Sequence, residues 1–272
     1  MIPVAFDYQR VTSVDEALGL LATHGDEAKL LAGGHSLLPL MKLRLAVPAV
    51  LVDVGRLRDL SYVRDAGDHI AVGALTRHRD LETSELLASQ VPILAHVAGL
   101  VGDPQVRHRG TIGGSLAHGD PASDLPAVVL ALGGTLVARG RGGERTIPAQ
   151  SFFEGFLQTA LGPDELLTEI RVPKASGGWS YQKFNRRAQD WAIVGVAAVR
   201  NGATGVALVN MGSTPLRASA TEAALASGAT VGDAAAVAAE GTDPSGDLNA
   251  SPDFRRHLAT VLVRRALEEA AG

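Results

Sequence analysis

Ala32-Gly33-Gly34-His35-Ser36 follows the apolar run Lys29-Leu30-Leu31 and precedes an apolar, helix-like segment from Leu37 to Leu45. Two adjacent glycines behind a short strand let the backbone turn through φ > 0 and bring bare N–H groups up to a ligand. Ser36 is placed to cap the following helix, whose N-terminus carries partial positive charge. Pro39 falls in the first turn of that helix, where its missing N–H costs little. The stretch reads as a backbone cradle for phosphate. A lone Gly-Gly pair is more often a strand-to-helix turn with no ligand, so the weight rests on a second pair, Gly113-Gly114, in Thr111-Ile112-Gly113-Gly114-Ser115.

The surroundings of the first turn read as a small α/β unit. Ser13-Val14-Asp15-Glu16 has capping-box spacing, and Ala17, Leu18, Leu21 and Ala22 follow at helical intervals, which predicts a helix over 14–24. Strands are expected at 28–32 and 50–54, giving β-α-β order over residues 1 to about 55. Further strands are expected at Leu60 to Arg64 and His69 to Gly73, a helical stretch from Thr76, and a helix from Pro92 to Gly102. Asp103 to Gly110 reads as a polar loop. After the second turn, Leu116 to Pro126 is dense in hydroxyls and carboxylates yet bounded by apolar runs, and such loops meet something polar. Arg139 to Gly143 forms a hairpin-like turn, and Leu166 to Val172 reads as a closing strand. Composition shifts to Pro, Lys, Ser and Gly over Pro173 to Gly178, where a domain boundary is expected. Beyond it, Asn201-Gly202 joins two strands in a hairpin, and alanine-rich helices around 219–240 and a last helix opened by Ser251-Pro252-Asp253 complete an α+β unit.

Composition excludes several functions. With 272 residues, 46% hydrophobic and 20% charged, the chain is an ordinary folded one with room for two domains. A net charge of −4 without basic, aromatic-interleaved clusters argues against nucleic acid as a partner. The apolar runs are shorter than the roughly 20 residues of a membrane span, and no apolar leader opens the sequence, so a cytoplasmic chain with no transmembrane segment is expected. There is no cysteine, which rules out disulfides, a thiol nucleophile and cysteine-held iron–sulfur clusters. Neither turn spells G-x-x-x-x-G-K-[ST] or G-x-G-x-x-G, so an NTPase or a Rossmann dehydrogenase is disfavoured. Two Gly-Gly turns with flanking hydroxyl and imidazole groups can instead close on one diphosphate from two sides.

The stretches A-G-G-H-S-L-L-P-L-M-K-L-R-L at 32–45, G-D-P-Q-V-R-H-R-G-T-I-G-G-S at 102–115, A-H-G-D-P-A-S-D-L-P at 117–126 and A-S-P-D-F-R-R-H-L-A-T-V-L-V-R-R-A-L at 250–267 carry a resemblance. They resemble the medium, FAD-binding subunit of the aerobic carbon monoxide dehydrogenase and xanthine dehydrogenase family of molybdenum hydroxylases. The resemblance implies an α+β fold: a two-subdomain FAD-binding domain of the vanillyl-alcohol oxidase (PCMH) type over 1–175, with subdomains at about 1–55 and 56–175, then a small α+β C-terminal domain over 176–272. It implies FAD as cofactor, with the pyrophosphate held by Ala32, Gly33, Gly34, His35 and Ser36 and by Thr111, Ile112, Gly113, Gly114 and Ser115. Asp124 corresponds to an acceptor for cofactor hydroxyls, Leu167 to an apolar contact and Lys183 to a basic residue near the flavin end. Ser115 stands where many relatives have Asn, and Phe254 where Tyr is frequent. The implied setting is a heterotrimer with a small 2Fe-2S iron–sulfur subunit and a large molybdopterin subunit, passing electrons to an external acceptor.

Each residue also has a plainer reading. Asp124 can cap a helix starting near Leu125, Lys183 alone is a surface lysine, and Trp191 is either a flavin-stacking ring or, more plainly, a core residue. His35, His78, His108 and His118 show no zinc spacing and read as hydrogen-bonding or surface residues. No nucleophile with a general base stands out, as expected where a flavin supplies the chemistry. A self-sufficient oxidase of the same fold and a non-catalytic nucleotide-binding module remain as alternatives.

Overall fold

Ser13 caps the first helix: its hydroxyl accepts from the Glu16 N–H, while the Glu16 carboxylate reaches one residue further back than a capping box does, to the Thr12 N–H. This helix, Val14–His24, buries Ala17, Leu18 and Leu21. In this computed structural model, which describes residues 1–272, that helix packs on a three-stranded parallel sheet with Val50–Asp53 between Asp7–Arg10 and Ala28–Leu31. Parallel neighbours require crossovers, so Ala28–Leu31 must be left by a turn at one sheet end, and that turn is the first glycine pair.

The second sheet is antiparallel and five-stranded, in the order Val63–Asp65, His69–Gly73, Leu166–Pro173, Thr135–Gly140, Gly143–Pro148. The strand Leu166–Pro173 closes it by inserting at the centre, bulged between Leu167 and Glu169. Against this sheet lie the helices Pro92–Gly99 and Asp124–Ala131. All eight residues of Asp124–Ala131 are buried, because it is covered on its other side by the third sheet.

That third sheet is antiparallel, in the order Trp179–Phe184, Val194–Asn201, Ala203–Val209, Leu216–Arg217. Its strands alternate with period two: Ala197, Val199, Ala207 and Val209 join the large core around Asp124–Ala131, whereas Val194, Val196, Val206 and Leu208 join a separate core under the helix Pro252–Glu269. A Cβ on Gly205 would strike the Ala131 carbonyl, so this glycine sets how closely the third sheet approaches. Within that last helix Arg255 is fully buried and donates to the Ile193 carbonyl and, at 2.8 Å, to Asp247. No helix is long and apolar enough to cross a membrane.

Several local expectations change. The segment 103–110 is not a loop but holds the helix Pro104–Arg109, started by Pro104 and by the Asp103 carboxylate accepting from the Val106 N–H at 2.9 Å. The strand expected at 60–64 splits into a 3-10 turn, Arg58–Leu60, and the short Val63–Asp65. The helical stretch near Thr76 is two helices, His78–Glu82 and Glu85–Gln90, and the helix from Pro92 ends at Gly99 rather than Gly102. The helix expected over 37–45 runs only Leu37–Lys42, followed by Arg44 at φ 57°. Ser36 does not cap it with its side chain, because Ser36 is itself already helical at φ −100°, ψ −52°.

Candidate functional site

A cavity of about 1050 Å³ runs between the first sheet, the second glycine turn and the third sheet. Ala32, Gly33, Gly34, His35, Ser36, Thr111, Gly113, Gly114, Ser115, Asp124, Leu167 and Lys183 all line it. Ile112 does not: it is fully buried in the main core, and its N–H bonds the Thr76 carbonyl. The volume lies at the top of the roughly 300–1,000 Å³ range of small-molecule sites and suits a dinucleotide.

The two glycine turns meet but do different work. In the first, the backbone N–H groups of Gly33, Gly34, His35 and Ser36 have no acceptor within the chain, and all four residues line the cavity, which leaves consecutive amides free for a ligand. Only Gly34 needs a left-handed φ, of 81°; Gly33 is required for close approach, because a Cβ there would strike the Arg109 carbonyl and lie 2.9 Å from the Gly110 Cα. In the second stretch the expected bare amides are largely engaged. Thr111 is the N-cap of the helix Ile112–His118 and accepts from the Gly114 N–H at 3.1 Å; the Gly113 N–H goes to Ala74 O, and the Ser115 N–H to Thr111 O. Thr111 alone keeps a free N–H there. Gly113 has no special φ; a Cβ would lie 2.5 Å from Ala74, so its smallness lets this helix sit against the sheet. What the second stretch offers the cavity is hydroxyls, with Ser115 Oγ 3.1 Å from Ser123 Oγ. These features fit a dinucleotide diphosphate: a row of neutral donors, held in place by glycines that let the first turn close on 109–110 and the second helix sit against Ala74.

Asp124 is not a helix cap. Ser123 holds that position, and the Asp124 carboxylate, 5% exposed, accepts from Tyr181 Oη at 2.6 Å and Lys183 Nζ at 2.8 Å. Burial pushes the Asp124 carboxyl above its usual range, against the opposing pull of the Lys183 charge and the two hydrogen bonds. The same burial, with the Asp124 charge, raises the Tyr181 hydroxyl well above its usual range, so it stays a donor. Lys183 is correspondingly no surface lysine: its side chain is 11% exposed, and Nζ also reaches the Leu100 carbonyl at 3.3 Å. An unpaired charge so buried costs several kcal/mol, which is why Asp124 and Lys183 come as a pair. Tyr181 escaped the sequence reading, although it lies two residues from Lys183 on the same strand face.

Leu167 is buried at the strand bulge with an edge on the cavity. Trp191 overturns its plainer reading: it is 60% exposed and lines the cavity beside Arg187, Gln189 and Asp190. The carbonyl after it, of Ala192, accepts from Asn210 Nδ2 at 2.9 Å, and the Asn210 N–H in turn holds Pro121 O at 2.8 Å, tying this segment to the polar loop. Of the histidines, His35 and His118 also line the cavity, and His78 is 4% exposed and lines it as well, which makes it neither surface nor hydrogen-bonded. Every carboxylate on the cavity is engaged: Asp103 caps a helix, Glu165 pairs with Arg145, Asp190 with Arg187, and Asp124 with Lys183.

A glycine-shaped amide cradle opening on a long cavity, roofed by a small α+β unit, defines a dinucleotide-holding protein. Residues 4–175 match the family described as the FAD binding domain in molybdopterin dehydrogenase, and residues 179–270 match the CO dehydrogenase flavoprotein C-terminal domain. The chain belongs to this family of FAD-binding subunits of molybdenum hydroxylases. It is 43% identical to the carbon monoxide dehydrogenase medium chain of Hydrogenophaga pseudoflava, over 99% of this chain and 98% of that one. It is 39% identical to the caffeine dehydrogenase subunit beta of a Pseudomonas species, over 100% and 96% of the two chains. The solved carbon monoxide dehydrogenase of Hydrogenophaga pseudoflava superposes with a TM-score of 0.95 at 44% identity, covering 100% of this chain and 99% of its counterpart. The cofactor is therefore FAD, and the chain is an oxidoreductase subunit.

Proposed function

We propose that this chain holds FAD between the iron–sulfur clusters of a small 2Fe-2S partner and an external electron acceptor, in a complex whose large molybdopterin subunit oxidises the substrate. FAD, when bound, supplies the redox chemistry. The chain's part is to bind and orient: the four free amides at 33–36 and the hydroxyls of Thr111 and Ser115 hold the diphosphate. Gly33 and Gly113 keep the two stretches close, and Leu167 and Trp191 give apolar and aromatic surface to the rings. Lys183, fixed by Asp124, sets a positive charge at the flavin end.

The observation that carries this reading is the engagement of all four cavity carboxylates. No carboxylate of the cavity is left free as a general base for an organic substrate, in keeping with a site that holds a redox cofactor rather than one built for substrate acid–base chemistry. A chain without cysteine also needs partners to hold the clusters. The named relatives, a carbon monoxide and a caffeine dehydrogenase, differ in substrate, in keeping with substrate choice on the large subunit. A division of the chain into domains at 175/176 and a cytoplasmic location belong to the same proposal. The test is turnover: the assembled three-subunit complex reduces its acceptor with substrate, and the isolated flavin-loaded chain does not. Substrate oxidation by the isolated chain with oxygen would establish a self-sufficient oxidase instead.

A further inference from the structure

We propose that His78 is a further FAD-holding residue, its ring presenting Nε2–H as a hydrogen-bond donor at the diphosphate end of the cavity. This rests on the FAD site described above. His78 follows the isolated bridge between Arg77 and Thr111, and its backbone N–H donates to the Gly110 carbonyl at 3.0 Å, so it is fixed to the residue just before the second stretch. The ring edge lies flat against Gly110: a Cβ there would come 2.6 Å from Cδ2 and 2.8 Å from Nε2. Gly110 thus leaves the Nε2 edge open where a side chain would cover it. Gly33 packs on the same Arg109–Gly110 backbone, so His78 stands beside the place where the free amides of the first turn meet that of Thr111.

The two ring nitrogens are not equivalent. Nδ1 is fully occluded and has no partner, whereas Nε2 is not occluded and no group of the chain bonds it. Protonation of both would leave a buried, charged N–H unpaired, which is among the costliest arrangements a protein interior can hold. Burial, reinforced by the positive charges of His35, Arg107 and Arg77, accordingly lowers the imidazole pKa to about 4. Of the neutral tautomers, the one carrying Nδ1–H orphans a buried donor and turns a lone pair toward the cavity. The other puts the proton on Nε2, and a diphosphate, which only accepts, selects that one. The arrangement gives the cradle a neutral side-chain donor in the same manner as its amides.

The test combines binding with ring spectroscopy on the full chain. Nitrogen NMR of the ¹⁵N-histidine chain should show His78 as the Nε2–H tautomer, with the Nε2 signal shifting on addition of FAD or of ADP, which lacks the flavin ring. His78→Phe should weaken FAD binding by at least about tenfold, the loss expected for a hydrogen bond to a charged acceptor, while His78→Gln, which returns an N–H near the Nε2 position, should restore most of it. An Nδ1–H tautomer, an Nε2 signal unmoved by FAD, or equal weakening in both variants would overturn the proposal. Failure of the wild-type chain to bind FAD at all would instead count against the underlying site.

Discussion

Replacing Gly33 by alanine tests the cradle at its tightest point. The new Cβ would run into the Arg109 carbonyl and sit 2.9 Å from the Gly110 Cα; both neighbours are backbone, and Arg77 also holds the Arg109 carbonyl, so neither moves aside freely. Overpacking of this kind costs about 1–3 kcal/mol. The empty protein can relieve much of that by lifting the first turn away from 109–110, but FAD held between the two stretches as proposed needs both in place, so the strain reappears on binding. Converted at 1.4 kcal/mol per tenfold, FAD affinity should fall by roughly 5- to 150-fold, with only a small loss in Tm. Quenching of flavin fluorescence on titration into the apo-chain reads the affinity, and Gly142→Ala is the control, since a Cβ at Gly142 meets nothing within 4 Å. Wild-type affinity in the Gly33→Ala chain would refute the claim that the two stretches clamp one ligand.

Lys183→Met should destabilise the protein by about 3–5 kcal/mol at neutral pH, because it strands the buried Asp124 carboxylate. The raised Asp124 pKa fixes the sign: the penalty is smallest in acid, where the carboxyl is protonated folded and unfolded, and grows as pH rises through the folded value. Denaturant titrations across pH, with Asp124→Asn/Lys183→Met recovering much of the loss, check this. Trp191→Ala, at a position 60% exposed, should change stability by less than about 0.5 kcal/mol yet weaken the quenching of bound flavin. An unchanged flavin emission would remove Trp191 from the ring site.

The parts of the fold legible in the sequence were those with local causes. Ser13 and Glu16 fix the first helix, Asn201-Gly202 a hairpin with Gly202 at φ 76°, and Ser251-Pro252 the last helix. The segment 103–110 reads as a loop because its charged residues mask a short helix, for which the caps Asp103 and Pro104 are the better signal. Within the site, the glycine stretches stood out because close approach tolerates no other residue. Which amides stay free did not, since two of the acceptors of the second stretch, Ala74 for Gly113 and Thr76 for Ile112, lie far back in the chain. Tyr181, Trp191 and His78 owe their positions to the docking of the third sheet and of Gly110, long-range contacts that no local pattern encodes. Asp124 was ambiguous for the same reason: a cap and a buried ion-pair partner look alike until the strand carrying Lys183 is placed.

The most direct measurement of the central claim is the visible flavin absorption of this chain, alone and assembled with its iron–sulfur and molybdopterin partners, before and after anaerobic addition of the complex's substrate. The chain should carry FAD, and the absorption should bleach in the complex when substrate is added and stay unchanged in the isolated chain. A colourless chain, or bleaching of the isolated chain by that substrate, would contradict the claim.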